Sequence, residues 1–384
     1  MNPTVFLLSL AAACTGLGMR AIEPMLPKFA EEFAVTVPTA SQVIIVFALF
    51  YTVGQFAHGP MGDRYGKVAM VAANMLLTAV GLLGSAFATD LHSLSLWRAA
   101  TGVFSSAPFV LGLAYIGDKV PIEQRSAVIG QYVIGNVLGH GVGPILSGVM
   151  TDHFGWRATF VVLFVLFTLV GVALIVGTHR SWNEERRHDA SLNPLRLYLE
   201  VLKLSPARVI AGVSIAEAFF FFGAFAFTGA LMKERFDLSY TAIGLVLSGF
   251  GAGGIIFNLF VRWIVRHVKP RLLVVIGGFV CGGCFIGIGL MQAWELGFPL
   301  VFGIGIGFYM LHNVLQTRAT EASPGSRGVG VSLFGIAWTM GQGLGVAVMG
   351  AGVATVGFAP MMTLYGLGLV GLGIWMRVNF HRLP

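Results

Sequence analysis

Of 384 residues, 56% are hydrophobic and only 11% charged, too few charges for a water-soluble domain, in which about a quarter of residues are charged. The net charge of +7 does not point to nucleic acid, because the basic residues lie in short breaks between apolar runs and not on one clustered surface. The 52 glycines and 31 phenylalanines supply small and large apolar units for helices that approach closely in lipid.

A helix that crosses a bilayer needs about 20 apolar residues. Runs of that length predict twelve spans, at about 4–26, 40–60, 69–89, 93–116, 127–150, 158–178, 207–231, 240–262, 272–292, 298–318, 329–351 and 358–377. The expected fold class is therefore an all-α integral membrane protein with twelve transmembrane helices. The first run has no Lys or Arg ahead of it, and Arg20 and Glu23 follow it, so it reads as a retained helix and not as a cleaved leader. Arg20 and Glu23 stand three apart, which places them on one face of helix 1 in its outer half.

Between helices 2 and 3 stands Gly59-Pro60-Met61-Gly62-Asp63-Arg64-Tyr65-Gly66-Lys67. Its glycines allow a tight turn, and Asp63 and Arg64 are placed to pair with Arg125 and Asp118 of the next loop on the same side. The cluster reads as a gate that latches one conformation, or as an ordinary turn bearing basic residues. Helix 4 buries Arg98. Helix 5 carries Gly135, Gly139 and Gly143 at intervals of four, with Pro144 just beyond. A smooth face that can bend suits gating, and close helix packing alone would use the same residues.

The one long polar connection, 179–206, divides the chain into residues 1–178 and 207–384, two pseudo-symmetric six-helix bundles. An internal repeat supports the division: Glu321 and Pro324 follow Asp118 and Pro121 at a shift of 203 positions, and Arg327 follows Arg125 at 202. Helix 7 places Glu217 at mid-depth, ahead of Phe219 to Phe222, a run that circles the helix and must face lipid or core. Gly249 to Gly254 on helix 8 reads as packing, since no strand precedes it. Cys281 and Cys284 lie inside an apolar run with no second ligand pair, so no metal site and no cofactor are expected.

If the N-terminus is cytoplasmic, Lys28, Arg157, Lys233 and Arg235 alone fall on outside loops and Arg20 and Arg98 within the membrane, with the rest of the 24 Lys and Arg inside. This favours cytoplasmic termini. An ionisable or polar group at membrane depth is expensive, hence a functional candidate. Arg20, His140, His312, Asn313 and Gln342 are the candidates for contacting a substrate. Glu23 has Arg20 on its own face and Arg98 opposite, which favours the ionised acid, whereas apolar residues and phenylalanines flank Glu217 and favour the neutral one. On that ground Glu217 is the better resting proton carrier.

The loop between helices 2 and 3 resembles the signature loop of the major facilitator superfamily, with Val68 in place of its second basic residue. Leu96-Trp97-Arg98-Ala99-Ala100-Thr101-Gly102 resembles that family's motif with a membrane-embedded arginine. Gly135 to Gly148 resembles the glycine-proline motif of its antiporter members, and Leu17-Gly18 through Pro24 and Pro27 fits the drug-proton antiporter branch. The loop after helix 8, Arg262 to Arg271, keeps basic residues but lacks the Asp-Arg-x-Gly core. The resemblance implies a monomeric inner-membrane transporter that exchanges protons for a small, partly apolar organic compound by alternating access. It also implies Glu23 opposite Arg98 as the proton site, against the choice of Glu217. The two buried arginines keep open uptake or facilitated movement of an organic anion or polar metabolite. An enzyme is not expected: there is no His-Glu-x-x-His helix, no Gly-x-Ser-x-Gly and no Walker loop.

Overall fold

The computed structural model describes residues 3–179, 182, 195–322 and 327–383. They contain twelve helices long and apolar enough to cross a membrane: Pro3–Glu32, Val37–Tyr65, Lys67–Ala86, Leu91–Lys119, Val128–Phe154, Trp156–Thr178, Ser205–Phe236, Tyr240–His267, Pro270–Leu290, Trp294–Ala319, Gly330–Val356 and Phe358–Val378, numbered helix 1 to helix 12. Among the described residues there is no strand. Twelve successive crossings put both chain ends on one face, here the terminal face; the other is the distal face.

Most spans outrun the apolar runs by several residues, because polar turns keep the helices going beyond the hydrocarbon. Helix 4 starts at a capping box in which the Asp90 carboxylate accepts the Ser93 N–H and the Ser93 hydroxyl accepts the Asp90 N–H. Helix 8 starts where the Ser239 hydroxyl accepts the Ala242 N–H. Of the connection 179–206, the amphipathic helix Leu195–Lys203 is described. Arg180, Arg186, Arg187, Ser323, Pro324 and the Arg327 side chain, which carried part of the charge and repeat readings, lie outside the described residues.

Helix 1 is not continuous. An α-helix runs from Pro3 to Arg20, a 3-10 turn spans Glu23–Met25, and a second α-helix runs from Leu26 to Glu32. Pro24 and Pro27 sit in the first turns of the two later pieces, where a missing N–H does little harm. Arg20 thus ends the first helix, where its charge meets the negative end of the helix dipole.

Glycine decides how the helices pack around helix 5. A Cβ on Gly135 would fall 2.7 Å from the Ser9 carbonyl oxygen, one on Gly143 2.5 Å from that of Leu17, and one on Gly139 onto the Ala13 carbonyl and 2.7 Å from the Leu17 N. This face is therefore pressed against helix 1. The opposite face meets helix 8, where Gly251 lies on Gly141 and Gly244 lies on the Pro144 carbonyl. Gly139→Leu is expected to destabilise by well over the roughly 1–3 kcal/mol of ordinary overpacking, because backbone on the facing helix cannot yield. Gly130→Leu on the same helix, with nothing within 4 Å, is the control that should fold normally. Thermal unfolding of the two variants in detergent checks this.

Candidate functional site: buried charges between the helices

Spans 1–6 meet spans 7–12 along two seams. At the distal face, Asp152 of helix 5 caps helix 8, its carboxylate accepting the Tyr240 N–H at 3.1 Å and the Thr241 N–H at 2.6 Å. Deeper in the membrane, Thr52 of helix 2 and Thr339 of helix 11 share a hydrogen bond of 2.7 Å, and the Thr339 hydroxyl also donates to Gln55 Oε1 at 3.3 Å. The buried ionisable groups lie close to these seams.

Arg20 is 1% exposed and donates to Glu23 Oε1 at 3.0 Å. Its guanidinium also lies over Phe221, Phe222 and Phe225 of helix 7 and Phe250 of helix 8, at 5.7, 4.6, 4.9 and 5.0 Å from the ring centres. Attraction of a desolvated cation to ring faces is worth about 2 kcal/mol or more. Arg20 is thus already neutralised, and it does not present a free charge to an anion.

Arg98 is 2% exposed and forms no ion pair among the described residues. The expected direct pairing with Glu23 does not form: Glu23 bonds Arg20, the nearer base on its own helix, and acts on Arg98 through space. The Arg98 guanidinium lies 4.1 Å from the Phe47 ring centre, in a narrow cavity that Thr15, Thr78, Thr101 and Ser105 also line. Its Nε and Glu23 Oε2 lack partners.

Glu217 is not surrounded by apolar groups alone. His312 Nδ1 lies 2.9 Å from its Oε2, joining helices 7 and 10, while Oε1 is left without a partner. The imidazole stacks on Phe308 at 4.8 Å and stands 5.3 Å from both Phe334 and Trp338. Asn313, next on helix 10, is half-buried. Gln342, one turn beyond Trp338 on helix 11, is buried with Oε1 unpartnered, as is the Trp338 indole N–H. His140 is buried beside Phe250 with Nδ1 unpartnered.

At the terminal face the expected pairs of Asp63 with Arg125 and Arg64 with Asp118 do not form. Lys67 takes both acids, its Nζ donating to Asp63 Oδ1 at 2.6 Å and Asp118 Oδ2 at 2.8 Å. Gly66, at φ 95°, turns the chain so that Lys67 opens helix 3 facing back toward helix 2, a conformation that favours glycine. Arg125 instead donates to the Val120 carbonyl, Arg64 lies over Tyr65, and Gly59 has open space beside it. Asp63→Asn is expected to cut solute exchange severalfold with membrane insertion unchanged, and Lys67→Met to cut it further, because lysine holds both acids. Normal exchange in Lys67→Met would exclude a latch.

The Phe cage and the Glu217–His312 bond escaped the sequence reading. So did a buried polar contact in spans 2 and 4, where His58 Nδ1 lies 2.8 Å from Ser106 Oγ. The phenylalanine run itself was the one available signal for the cage.

A family model described as Major Facilitator Superfamily matches residues 8–346. Efflux pump radE of Floropilus chiversii is 24% identical over 300 residues, covering 70% of this chain and 55% of its own. The uncharacterized MFS-type transporter YwfA of Bacillus subtilis is 23% identical over 373 residues, covering 91% and 83%. Inner membrane transport protein YnfM of Escherichia coli is 25% identical over 262 residues, covering 66% and 61%. The chain thus spans little more than half the length of the first of these and most of the second. With twelve spans, charges buried between them and this match over most of its length, the chain belongs to the Major Facilitator Superfamily and is a membrane transporter.

Proposed function

We propose that this transporter is a proton-coupled antiporter that exports a small, partly apolar organic compound. It works by alternating access between two six-helix bundles, residues 1–178 and 207–384, linked by 179–206. The observation that carries the reading is the arrangement of charges at the meeting of the spans. Two acids, Glu23 and Glu217, are buried within the membrane, each hydrogen-bonded to a base, with aromatic rings filling the space between. A buried acid that exchanges one partner for another can load and release a proton as the seams open and close. The name of the efflux pump relative supports outward transport.

In this reading Glu217 carries the coupling proton, with His312 as its exchange partner; Glu23, beside Arg20 and within reach of Arg98, is the alternative. The unit is a monomer in the inner membrane with both termini in the cytoplasm, and the Asp63–Lys67–Asp118 cluster and the glycine-lined helix 5 with Pro144 serve as gating elements. His140, Asn313 and Gln342 line the substrate path.

A second reading, uptake or facilitated movement of an organic anion, is favoured by Arg98 alone, buried in its cavity without an acid bonded to it. Reconstituted vesicles decide between the two. With the cytoplasmic face turned outward, an acidic lumen should drive a transported compound into the lumen against its gradient. Movement that follows the solute gradient alone and ignores the pH difference would end the antiport reading.

A further inference from the structure

Arg20 belongs to helix 1, yet the rings that enclose it belong to helices 7 and 8. Phe221, Phe222, Phe225 and Phe250 are each no more than 1% exposed, so the rings form a closed box about the cation. Glu23 Oε1 completes it at 3.0 Å. Arg20 Nε and Glu23 Oε2 find no hydrogen-bond partner there, so ring faces stand where a polar site would place oxygens. Such a box discriminates. A guanidinium is flat, delocalised and weakly hydrated, and it stacks on aromatic faces, whereas an ammonium is compact and strongly hydrated. The box therefore suits the head group that fills it, and would do so whether or not that group were tied to helix 1.

We propose that Glu23 and the rings of Phe221, Phe222, Phe225 and Phe250 form a binding site for guanidinium and amidinium groups. Arg20 fills it from within while the distal face is closed and leaves it when spans 1–6 and 7–12 part there. The proposal rests on the alternating-access reading and adds to it a ligand site and a latch. Because Glu23 comes from one set of spans and the rings from the other, a planar cation between them joins the two whether it is tethered or free.

The test separates tether from charge. Cys14, Cys281 and Cys284 are replaced, and spin labels are attached at His92→Cys and Glu295→Cys, exposed distal positions on opposite sides of the seam. Arg20→Ala is expected to lengthen the label distance, lowering the closed-to-open ratio by about tenfold or more. Guanidinium or methylguanidinium chloride at about 10 mM and above, the range to which a short tether is equivalent, is expected to restore the short distance. Urea, which is neutral and of the same shape, and sodium chloride at equal ionic strength should not. An unchanged distance in Arg20→Ala overturns the proposal, as does rescue by urea or salt, or the absence of rescue by guanidinium. If Arg20→Ala does not fold, Phe222→Leu keeps the apolar bulk and removes a ring; it should open the distal face, and a wild-type distance in it overturns the cage. A wild type whose distances never respond to substrate or pH would defeat alternating access instead, and guanidinium rescue of the variant would still report on the cage alone.

Discussion

Replacing Arg98 by alanine is expected to abolish transport while leaving the protein at least as stable as the wild type. A cation 2% exposed, with no acid bonded to it, is a net burden on the fold. Its compensation comes from the Phe47 ring at 4.1 Å and from Glu23 acting at a distance. Removing it relieves desolvation and breaks no ion pair, so the melting temperature should hold or rise. Transport should fall by about a hundredfold or more, equivalent to about 3 kcal/mol, the scale on which a buried charged partner acts. A group retained against stability in this way is one that function requires. Arg98→Lys sharpens the argument. Lysine keeps the charge but loses the planar fork that can lie over Phe47 and reach several oxygens at once, so it should leave transport low. Full activity in Arg98→Lys would reduce the role to charge alone, and full activity in Arg98→Ala would remove it.

The contrast between Arg98 and the other buried groups also shows what a sequence can and cannot carry. The twelve spans were legible because the apolar run needed to cross lipid is long and few soluble helices match it. Their ends were not, since Asp90 starts helix 4 at Leu91, ahead of the apolar run, through a capping box that hydropathy ignores. Arg20 and Glu23 were legible as neighbours because the pairing is local, three residues apart. Glu217 and His312 lie 95 residues apart, and no feature of either helix alone says that the two side chains face each other. Lys67 stands four residues after Asp63, a spacing at which ion pairs form on a helix, but a glycine between them made the loop read as a break. The run Phe219 to Phe222 hid the cage for a different reason. At 100° per residue, four consecutive rings point all round helix 7, and only the packing of helices 1, 8 and 10 shows that Phe221 and Phe222 are the two turned inward to a cation.

Glu217→Gln is expected to separate exchange from coupling. The amide has the shape of the protonated acid and can still hydrogen-bond His312 Nδ1 in either tautomer, so the joint between helices 7 and 10 should survive. The groups that face the carboxyl are few. His312 is the bonded base, the Cys281 thiol lies nearby, and among the described residues no arginine or lysine pairs with it. A carboxyl has a proton to release and recover, which an amide lacks. Exchange driven by a solute gradient should therefore persist at near wild-type rate, while accumulation driven by a pH difference should be lost. Glu23 is the comparison, because its carboxylate is held by Arg20 at 3.0 Å. Glu23→Gln leaves the Arg20 charge without its partner, a loss of about 3–5 kcal/mol for a buried pair, so it should weaken stability and exchange together instead of sparing one of them. Vesicles carrying each variant, measured under a solute gradient and then under a pH gradient, give the four rates that decide. If Glu217→Gln still concentrates substrate against its gradient and Glu23→Gln alone does not, the proton belongs to Glu23, and His312 holds Glu217 for structural reasons only.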